Sequence, residues 1–119
     1  MNTPAQELLK TLPVNRPQFG DTRGGAPVTF FESISAGLSA NGGLFMPEAF
    51  PQTFKNIPDF FTKILPTLTI PEIAMLAHRV FIPREDVSDD DLARMMDEAY
   101  NFEIPLEKLD SHTFIARLD

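Results

Sequence analysis

The segment SISAGLSANGGLFMPEAFP, residues 33–51, sets the local structure around which the rest of the sequence is interpreted. An apolar run ends at Asn41–Gly43, and the apolar triplet Leu44–Met46 follows before Pro47. Gly42 can adopt the positive φ that ends a helix, and Pro47 prevents an extended segment from continuing because it has no N–H. The segment therefore predicts a helix, a tight reversal and a short, buried extended segment.

The helix that enters this reversal is predicted to begin at Thr29. Residues Thr29–Glu32 match a capping box, in which the threonine oxygen accepts the N–H of Glu32 and the glutamate reaches back to the cap. Apolar residues then repeat every four positions, which predicts a helix over residues 29–40 with one buried face. That face consists of Phe30, Ile34 and Leu38.

Two more helices have clear start signals. Thr69–Glu72 is a second capping box, and the helix that follows is predicted to bury Ile73, Leu76, Ala77 and Val80 and to end before Pro83. Ser88 is the predicted cap of another helix. Three aspartates fill the first turn of that helix, where their negative charges interact favourably with the positive end of the helix dipole. Its predicted buried face is Leu92, Met95, Met96, Ala99 and Tyr100.

Proline interrupts the remaining elements. A short helix is predicted over Ala5–Leu12, with a loosely held arm as the alternative, and another over Pro58–Leu65 because proline suits a first turn. The apolar face of the latter is predicted to be Phe60, Phe61, Ile64 and Leu65. Near the carboxyl end, Phe114–Ala116 predicts a strand.

These elements predict an α+β fold that is mostly α-helical, with about four helices and two or three short strands. We expect residues 1–18 to form an N-terminal arm and residues 19–119 to form one domain. Because an isolated pair of short strands is marginal in water, we expect the strands to complete a sheet or surface that other chain contributes.

Composition excludes several classes of function. The formal charge of −7 disfavours nucleic acid and anionic membranes, which need Lys and Arg. No apolar run is long enough to span a membrane, and the N-terminus lacks the apolar core of a signal peptide. The sequence has no cysteine, so it has no disulfide or thiolate site, which agrees with a cytoplasmic location.

Residue patterns for catalysis or metal binding are weak. His78 and His112 are far apart and have no zinc-ligand partners in register, so structural or surface roles are predicted. The acidic run Glu85–Asp91 lacks the glycine and glutamate of a calcium loop. Asp110, Ser111 and His112 are adjacent in sequence, whereas a catalytic triad is a spatial arrangement. Met46, Met95 and Met96 are predicted to be core residues.

The segment GDTRGG, residues 20–25, is the best candidate for binding a phosphate. Its glycines allow backbone N–H groups to converge on an anion, and Arg23 supplies a positive charge. The segment matches neither the Walker nor the Rossmann motif. A glycine-rich turn with a surface arginine is the structural alternative.

Several of these motifs together resemble the start of the threonine synthase family. The matching motifs are Thr22-Arg23-Gly24, the helix start Val28–Glu32, the pair Gly37-Leu38 and the segment Gly42–Pro47. The segment AYNFEIPLEKLD, residues 99–110, also resembles the family, in which such a segment leads into the catalytic part. The resemblance runs from about residue 19 to the end of the sequence.

This resemblance implies a pyridoxal-phosphate enzyme, a carbon–oxygen lyase of threonine biosynthesis that converts O-phosphohomoserine and water to threonine and phosphate. In the family, the lysine that binds the cofactor lies in a later motif, and none of Lys10, Lys55, Lys63 and Lys108 is in such a motif. We therefore expect an N-terminal domain or fragment that is inactive alone and binds no cofactor or metal.

The expected partners are the remaining catalytic domains of the same polypeptide. Thr22, Arg23 and Gly24 are the residues expected to contact those domains or the substrate phosphate. The alternative is a stand-alone interaction module related to this domain. No catalytic, cofactor-binding or metal-binding residue is expected within the sequence itself.

Overall fold

The computed structural model describes residues 3–12, 16–49 and 57–118. Within these ranges the helices are α1 (Pro4–Thr11), α2 (Phe30–Ala36), α3 (Ile57–Asp59), α4 (Ile70–Arg79) and α5 (Asp89–Ala99). The strands are β1 (Phe19–Asp21), β2 (Phe45–Pro47), β3 (Leu106–Lys108) and β4 (Phe114–Ala116). The predicted α+β class with short strands is confirmed.

The hydrophobic core lies between α1, α4 and α5. Leu9 of α1 and Leu92 of α5 are the largest fully buried side chains. The other core residues are Ala5, Leu12, Ala74, Met75, Leu76, Ile82 and Met96. The alternative of a loosely held arm is therefore wrong for the described part of the N-terminal segment, since α1 and the residue that caps it belong to this core. The domain boundary at residue 18 stays a prediction.

A capping box that the sequence analysis missed begins α1. The Thr3 hydroxyl accepts a hydrogen bond from the Gln6 N–H at 3.2 Å, and the Gln6 side chain accepts one from the Thr3 N–H at 3.0 Å. The predicted capping boxes of α2 and α4 are confirmed. Ser88 is confirmed as the cap of α5.

A buried arginine joins α4 to α5. The Arg79 side chain is 2% exposed, and its Nη2 lies 3.1 Å from Asp89 Oδ1 as an ion pair without hydrogen-bond alignment. Its Nη1 donates to the Ile82 carbonyl at 3.0 Å. Arg84 contacts the same carboxylate and also donates to the Leu9 carbonyl. Two guanidinium groups therefore share one carboxylate beside the end of α1.

The second structural unit is the antiparallel pair β1–β2 with α2 beside it. Phe19 pairs with Pro47 and Asp21 with Phe45. An isolated bridge joins Phe19 to Val28 at the start of this unit. The Phe19 ring lies 5.9 Å from the Phe30 ring and packs the strand against α2.

Helix α2 is shorter than predicted. It ends at Gly37, which has φ of +72° and donates its N–H to the Ser33 carbonyl at 3.0 Å. Gly42, the predicted end of the helix, also has a positive φ but lies in the following turn. Two glycines in one segment can end a helix, and the first in sequence does so here.

The predicted burial of α2 and the β2 segment is wrong. Ser33 is the buried residue of α2, and Phe30 is half-buried. Ile34 and Leu38 are each 58% exposed, Leu44 is 57% exposed and Met46 is 51% exposed. The helical and strand spacing is as predicted, but the described elements do not cover these side chains.

The segment predicted as one helix over Pro58–Leu65 is divided. The α-helical turn α3 is followed by a π-helical turn, Phe60–Ile64, and a 3₁₀ turn, Leu65–Thr67. Pro66 explains why the helix widens into a π-helical turn, because proline has no N–H and its ring crowds the carbonyl one turn earlier. Phe60 packs against the core, whereas Phe61 is 59% exposed, so the predicted apolar face is wrong at Phe61.

The buried faces of α4 and α5 are only partly as predicted. Helix α4 lies between α1 and α5, so its buried surface is wider and includes Met75 and Arg79. Of the predicted α4 face, Leu76 is buried and Ala77 is exposed. In α5, Leu92 and Met96 are buried, but Ala99 is exposed and Met95 is 47% exposed, so Met95 and Met46 are not core residues.

The chain ends in an antiparallel hairpin. Leu106 pairs with Ala116, Glu107 with Ile115 and Lys108 with Phe114. The predicted strand Phe114–Ala116 is confirmed, and β3 is an additional strand. Every described residue from Pro105 to Leu118 is exposed.

Candidate functional site

The predicted Thr22-Arg23-Gly24 motif forms the turn after β1. Thr22 donates its backbone N–H to the Leu44 carbonyl at 2.9 Å, and its hydroxyl accepts the Leu44 N–H at 2.9 Å. The structure thus places Thr22 beside the residue that precedes β2. Arg23 and Gly24 are exposed at the tip of this turn.

The Asp21 carboxylate holds the turn in place. Its Oδ1 accepts the Arg23 backbone N–H at 2.8 Å, and its Oδ2 accepts from the Asn41 side chain at 3.3 Å. The Arg23 N–H lowers the pKa of Asp21 most, followed by a hydrogen bond from Ser39. Asp21 is therefore stabilised as an anion by the loop it organises.

The second half of the site is the turn over residues 39–43. Gly42 has φ of +74°, and the buried Gly43 N–H donates to the Ser39 hydroxyl at 2.9 Å. The Asn41 side chain donates to the Gly24 carbonyl across the site. The two turns are therefore joined by side-chain hydrogen bonds.

The backbone donors of the Arg23 turn are already used. The N–H groups of Thr22, Arg23 and Gly24 bond to Leu44, the Asp21 side chain and the Asp21 carbonyl, respectively. A cradle of backbone N–H groups for phosphate is therefore not available at these three positions. The Arg23 guanidinium is the charged group of this turn with affinity for an anion.

The Arg23 side chain reaches across the site. Its Nη1 donates to the Asn41 carbonyl at 3.3 Å. A guanidinium has five N–H donors, so this single bond to a neutral carbonyl leaves capacity for a carboxylate or phosphate. The guanidinium also interacts with the Asp21 charge, and its remaining N–H donors can bind such a group in a bidentate manner.

Five apolar side chains of α2, β2 and the segment that connects them are exposed, and we call them the α2–β2 surface. They are Phe31, Ile34, Leu38, Leu44 and Met46. Phe31 and Ile34 share one face of α2 because they are three residues apart. Leu38 and Leu44 are bridge partners, so their side chains lie on one side of the pair.

The Asp110, Ser111 and His112 cluster does not form a catalytic triad. Ser111 Oγ lies 2.6 Å from His112 Nδ1. Asp110 Oδ1 instead accepts the backbone N–H groups of His112 and Thr113, each at 2.8 Å. The carboxylate therefore closes a turn and does not orient the imidazole.

The other histidine, His78, contacts its own helix and Tyr100. His78 Nδ1 lies 2.8 Å from the Ala74 carbonyl within α4, and its ring contacts Tyr100. Among the described residues, no three His, Cys, Asp or Glu side chains are grouped to hold a metal ion. None of the helices in the described ranges is long and apolar enough to cross a membrane.

The described lysines do not fit a pyridoxal-phosphate site. Lys10 lines a cleft of about 310 Å³, but it pairs with Glu7 at 3.2 Å and the cleft is also lined by Asp89 and Asp90. These carboxylates would repel the cofactor phosphate. Lys63 pairs with Asp59 at 3.0 Å, and Lys108 lies on the exposed hairpin. Lys55 lies outside the described residues.

Asp21, Ser39 and Asn41 fix both turns of the candidate site. Sequence reasoning assigned no role to these three residues. The signal for Asp21 is present, because an aspartate two residues before a backbone N–H in a glycine-rich segment is typical of an Asx turn. The pairing of Asn41 with Gly24 has no local signal, since it joins residues far apart in sequence.

Comparison with known proteins gives one consistent relationship. The family described as "Threonine synthase N terminus" matches residues 18–100. The threonine synthase of Schizosaccharomyces pombe is 35% identical over 81 residues, which are 67% of this chain and 15% of that protein. The crystal structure of threonine synthase from yeast superposes with a TM-score of 0.66 and 27% identity, covering 79% of this chain and 19% of that one.

This chain therefore spans less than a fifth of the length of the relatives that it matches. The family match includes both turns of the candidate site and the whole α2–β2 surface. Since the match covers more than half of the sequence, the chain belongs to the threonine synthase N-terminal family.

Proposed function

We propose that this chain is the N-terminal domain of a pyridoxal-phosphate-dependent threonine synthase, a lyase that forms threonine and phosphate from O-phosphohomoserine and water. The family match over residues 18–100 is the observation that carries the proposal. The domain contributes a surface to the enzyme and does not catalyse the reaction alone. The enzyme acts in threonine biosynthesis in the cytoplasm.

The cofactor belongs to another part of the enzyme in this proposal. The described lysines are paired or exposed, and the cleft beside Lys10 is acidic, so these residues do not fit the cofactor. We therefore assign no catalytic or cofactor-binding role to the described part of the chain. The remaining domains of the same polypeptide are its partners.

The α2–β2 surface supports a contact with those domains. Its five side chains are between 51 and 62% exposed, and clustered exposed apolar side chains mark interaction sites. The surface lies within the family match. Burying it against the catalytic domains would remove these side chains from water, which is favourable by about 25 cal/mol per Å².

Arg23 is positioned at the border of this surface. Thr22 is bonded to Leu44 through both its backbone and its hydroxyl, so the next residue, Arg23, lies close to Leu44, which is one of the five. The proposed role of Thr22, Arg23 and Gly24 is to form an inter-domain contact, with the Arg23 guanidinium close to the substrate phosphate. Thr22 and Gly24 shape the turn, and Arg23 provides the charge.

The alternative function is a stand-alone interaction module related to this domain. The same α2–β2 surface would then bind another protein. The reading frame after Asp119 distinguishes the two functions. Continuation into a histidine-glycine-proline motif and a phenylalanine-lysine motif supports the enzyme, whereas a stop codon directly after Asp119 supports the module.

Kinetic analysis of an Arg23→Ala variant of the complete enzyme tests the site. We expect kcat/KM for O-phosphohomoserine to fall while the unfolding midpoint stays unchanged, because Arg23 is exposed and makes one hydrogen bond to a carbonyl. Arg16→Ala is the matched control, since Arg16 is an exposed arginine whose partner is Glu85. Equal kinetics for wild type and Arg23→Ala would contradict the role of Arg23.

A further inference from the structure

Asn41 contacts the Arg23 turn at three points. Its side-chain NH₂ group donates to the Gly24 carbonyl and, at 3.3 Å, to Asp21 Oδ2. Its backbone carbonyl accepts a hydrogen bond from Arg23 Nη1 at 3.3 Å. The two side-chain partners are both acceptors, so the NH₂ group is the part of the amide that fits between them. An ionised aspartate has no donor to offer these acceptors, and the position therefore favours asparagine.

Uncharged donors stabilise the Asp21 carboxylate more than the nearby guanidinium does. Among the causes that lower the pKa of Asp21, the Arg23 backbone N–H is the largest. Hydrogen bonds from Ser39 and Asn41 follow, and the charge of the Arg23 guanidinium contributes least. Although residues 21 and 23 both lie in the described ranges, no ion pair joins their charged groups. The uncharged donors thus occupy the carboxylate and leave the guanidinium available.

The guanidinium lies against a residue that has no side chain. Gly42 has φ of +74°, and a Cβ built on it would lie 3.4 Å from Arg23 Nη1. Gly42 follows Asn41 directly, so the carbonyl that accepts Nη1 and the space beside the guanidinium belong to neighbouring residues. The residue 39–43 turn therefore determines where the Arg23 side chain ends, although Arg23 itself belongs to the other turn.

We infer that Asn41 is a positioning residue for Arg23: its amide occupies the Asp21 carboxylate and its carbonyl holds the guanidinium, so that the guanidinium stays available for an anion. This inference rests on the proposed function, in which that anion is the phosphate group of the substrate. It adds to that function a residue that acts through Arg23 and touches neither substrate nor cofactor.

The two possible partners of the guanidinium differ in how strongly they hold it. A hydrogen bond to the neutral Asn41 carbonyl is weaker than one to a carboxylate or phosphate, so a phosphate can displace the carbonyl. Without the Asn41 amide, Asp21 Oδ2 loses a donor, and the Arg23 guanidinium, which already interacts with this carboxylate, can replace it. A phosphate would then compete with a carboxylate for the same guanidinium.

A double-mutant cycle in the complete polypeptide tests the inference. We expect Asn41→Ala to lower kcat/KM for O-phosphohomoserine by about tenfold, the lower end of the range for a hydrogen bond to a charged group. In an Arg23→Ala background the same substitution is expected to change kcat/KM by less than about twofold, because the group that it positions is gone. Asn101→Ala is the matched control, since Asn101 is exposed and belongs to neither turn.

A third variant tests whether Asp21 captures the guanidinium. Asp21→Asn combined with Asn41→Ala removes the competing negative charge, and we expect it to recover most of the kcat/KM that Asn41→Ala loses. The NMR signal of the Arg23 Nε–H group in residues 1–119 follows the guanidinium directly. This signal is expected to shift in Asn41→Ala and to return towards its wild-type position in the combined variant.

Three results would overturn the inference. An Asn41→Ala enzyme with wild-type kcat/KM beside an impaired Arg23→Ala enzyme would show that Arg23 needs no positioning by Asn41. An equal loss of kcat/KM in both backgrounds would show that Asn41 supports the fold and does not act through Arg23. An Arg23 Nε–H signal that is identical in wild type and Asn41→Ala would show that the guanidinium does not depend on Asn41.

Failure of the proposed function gives a different pattern. If Arg23→Ala keeps wild-type kinetics, the guanidinium does not bind the substrate phosphate, and the Nε–H signal then decides the inference alone. A shift of that signal in Asn41→Ala would retain Asn41 as the positioning residue and refute the role of Arg23 in the reaction. An unshifted signal would refute both.

Discussion

The Asp21 carboxylate occupies the space in which a side chain at Gly43 would begin. A Cβ built on Gly43 overlaps Asp21 Oδ1 and lies 3.0 Å from Thr22 Oγ1 and 3.1 Å from the Arg23 backbone nitrogen. The Arg23 turn and the residue 39–43 turn can approach each other in this way because one of them has no side chain at the contact. The position of Arg23 thus depends on a glycine twenty residues away in the sequence.

We expect Gly43→Ala to destabilise the fold by about 2–3 kcal/mol, because the added methyl group must displace Asp21 or the backbone of Arg23. Gly20→Ala is the matched control, since its Cβ would meet only the flexible Glu48 side chain, at 3.3 Å. Urea unfolding followed by circular dichroism measures both variants. A Gly43→Ala variant as stable as Gly20→Ala would refute this packing.

Asp89 is expected to matter more for stability than Arg79, the buried arginine that it contacts. Asp89→Asn leaves Arg79 and Arg84 without their shared carboxylate, and we expect a loss of about 2 kcal/mol, below the range for fully buried pairs because Asp89 is partly exposed. Arg79→Met removes a buried charge and keeps the Arg84–Asp89 pair, so its cost is expected to be within about 1 kcal/mol. Unfolding by urea at neutral pH compares the two. The reverse order of stabilities would contradict the prediction.

Acid is expected to destabilise the fold through carboxylates with lowered pKa values. Hydrogen bonds lower the pKa of Asp21, Glu32, Asp91 and Asp110. A lowered folded-state pKa stabilises the fold above the unfolded pKa of about 4, and this contribution is lost as pH falls through the folded value. Stability should therefore fall as the pH is lowered from about 5 to about 2.

The Asp21→Asn variant isolates one contribution to this loss. We expect it to be less stable than wild type at neutral pH and to approach wild type in acid, because the protonated wild-type carboxyl no longer gains from ionisation. Urea midpoints at neutral and acid pH measure the convergence. A stability difference that stays constant with pH would contradict the role of the Asp21 charge.

Leu9→Ala tests whether α1 belongs to the core. Leu9 is 1% exposed, so we expect its truncation to cost about 2–5 kcal/mol. Leu106→Ala is the control, because Leu106 is largely exposed and surface substitutions usually change stability by less than about 0.5 kcal/mol. If α1 is instead a loosely held arm in solution, thermal unfolding of the two variants will give similar midpoints.

Thr69→Ala removes the cap of α4, whose buried residues form much of the core. The Thr69 hydroxyl accepts the Glu72 N–H at 3.3 Å, and loss of such a cap costs about 1 kcal/mol. Thr69→Ser keeps the hydroxyl and is expected to retain most of the stability. Chemical unfolding of the two variants checks this prediction, and equal losses in both would assign the effect to the methyl group instead.

The local parts of the fold could be predicted from the sequence. A capping box joins residues three apart, so the starts of α2 and α4 depend on signals within one turn. The end of α2 is harder to predict because Gly37 and Gly42 both permit a positive φ. Pro66 affects the turn before it, which explains the division of the segment predicted as a single helix.

Burial was harder to predict than helix or strand type. Periodicity shows that Ile34 shares a face with neighbouring apolar residues, but it does not show whether another element covers that face. Arg79 is the opposite case, because it is buried although it is charged. Nothing in the helix sequence indicates that Asp89 lies opposite it. The candidate site combines both difficulties, because Asp21 and Asn41 meet only after β1 and β2 pair.

The arrangement of the core also sets the order of folding during synthesis. The β1–β2 pair joins residues that precede α4 and α5 in the sequence, so it can close before those helices leave the ribosome. The core between α1, α4 and α5 joins Leu9 to Leu92 and therefore has to wait until most of the chain has emerged. During that interval the α1 segment has no packing partners and, at eight residues, is too short to be a stable helix alone, so chaperones have access to its apolar side chains.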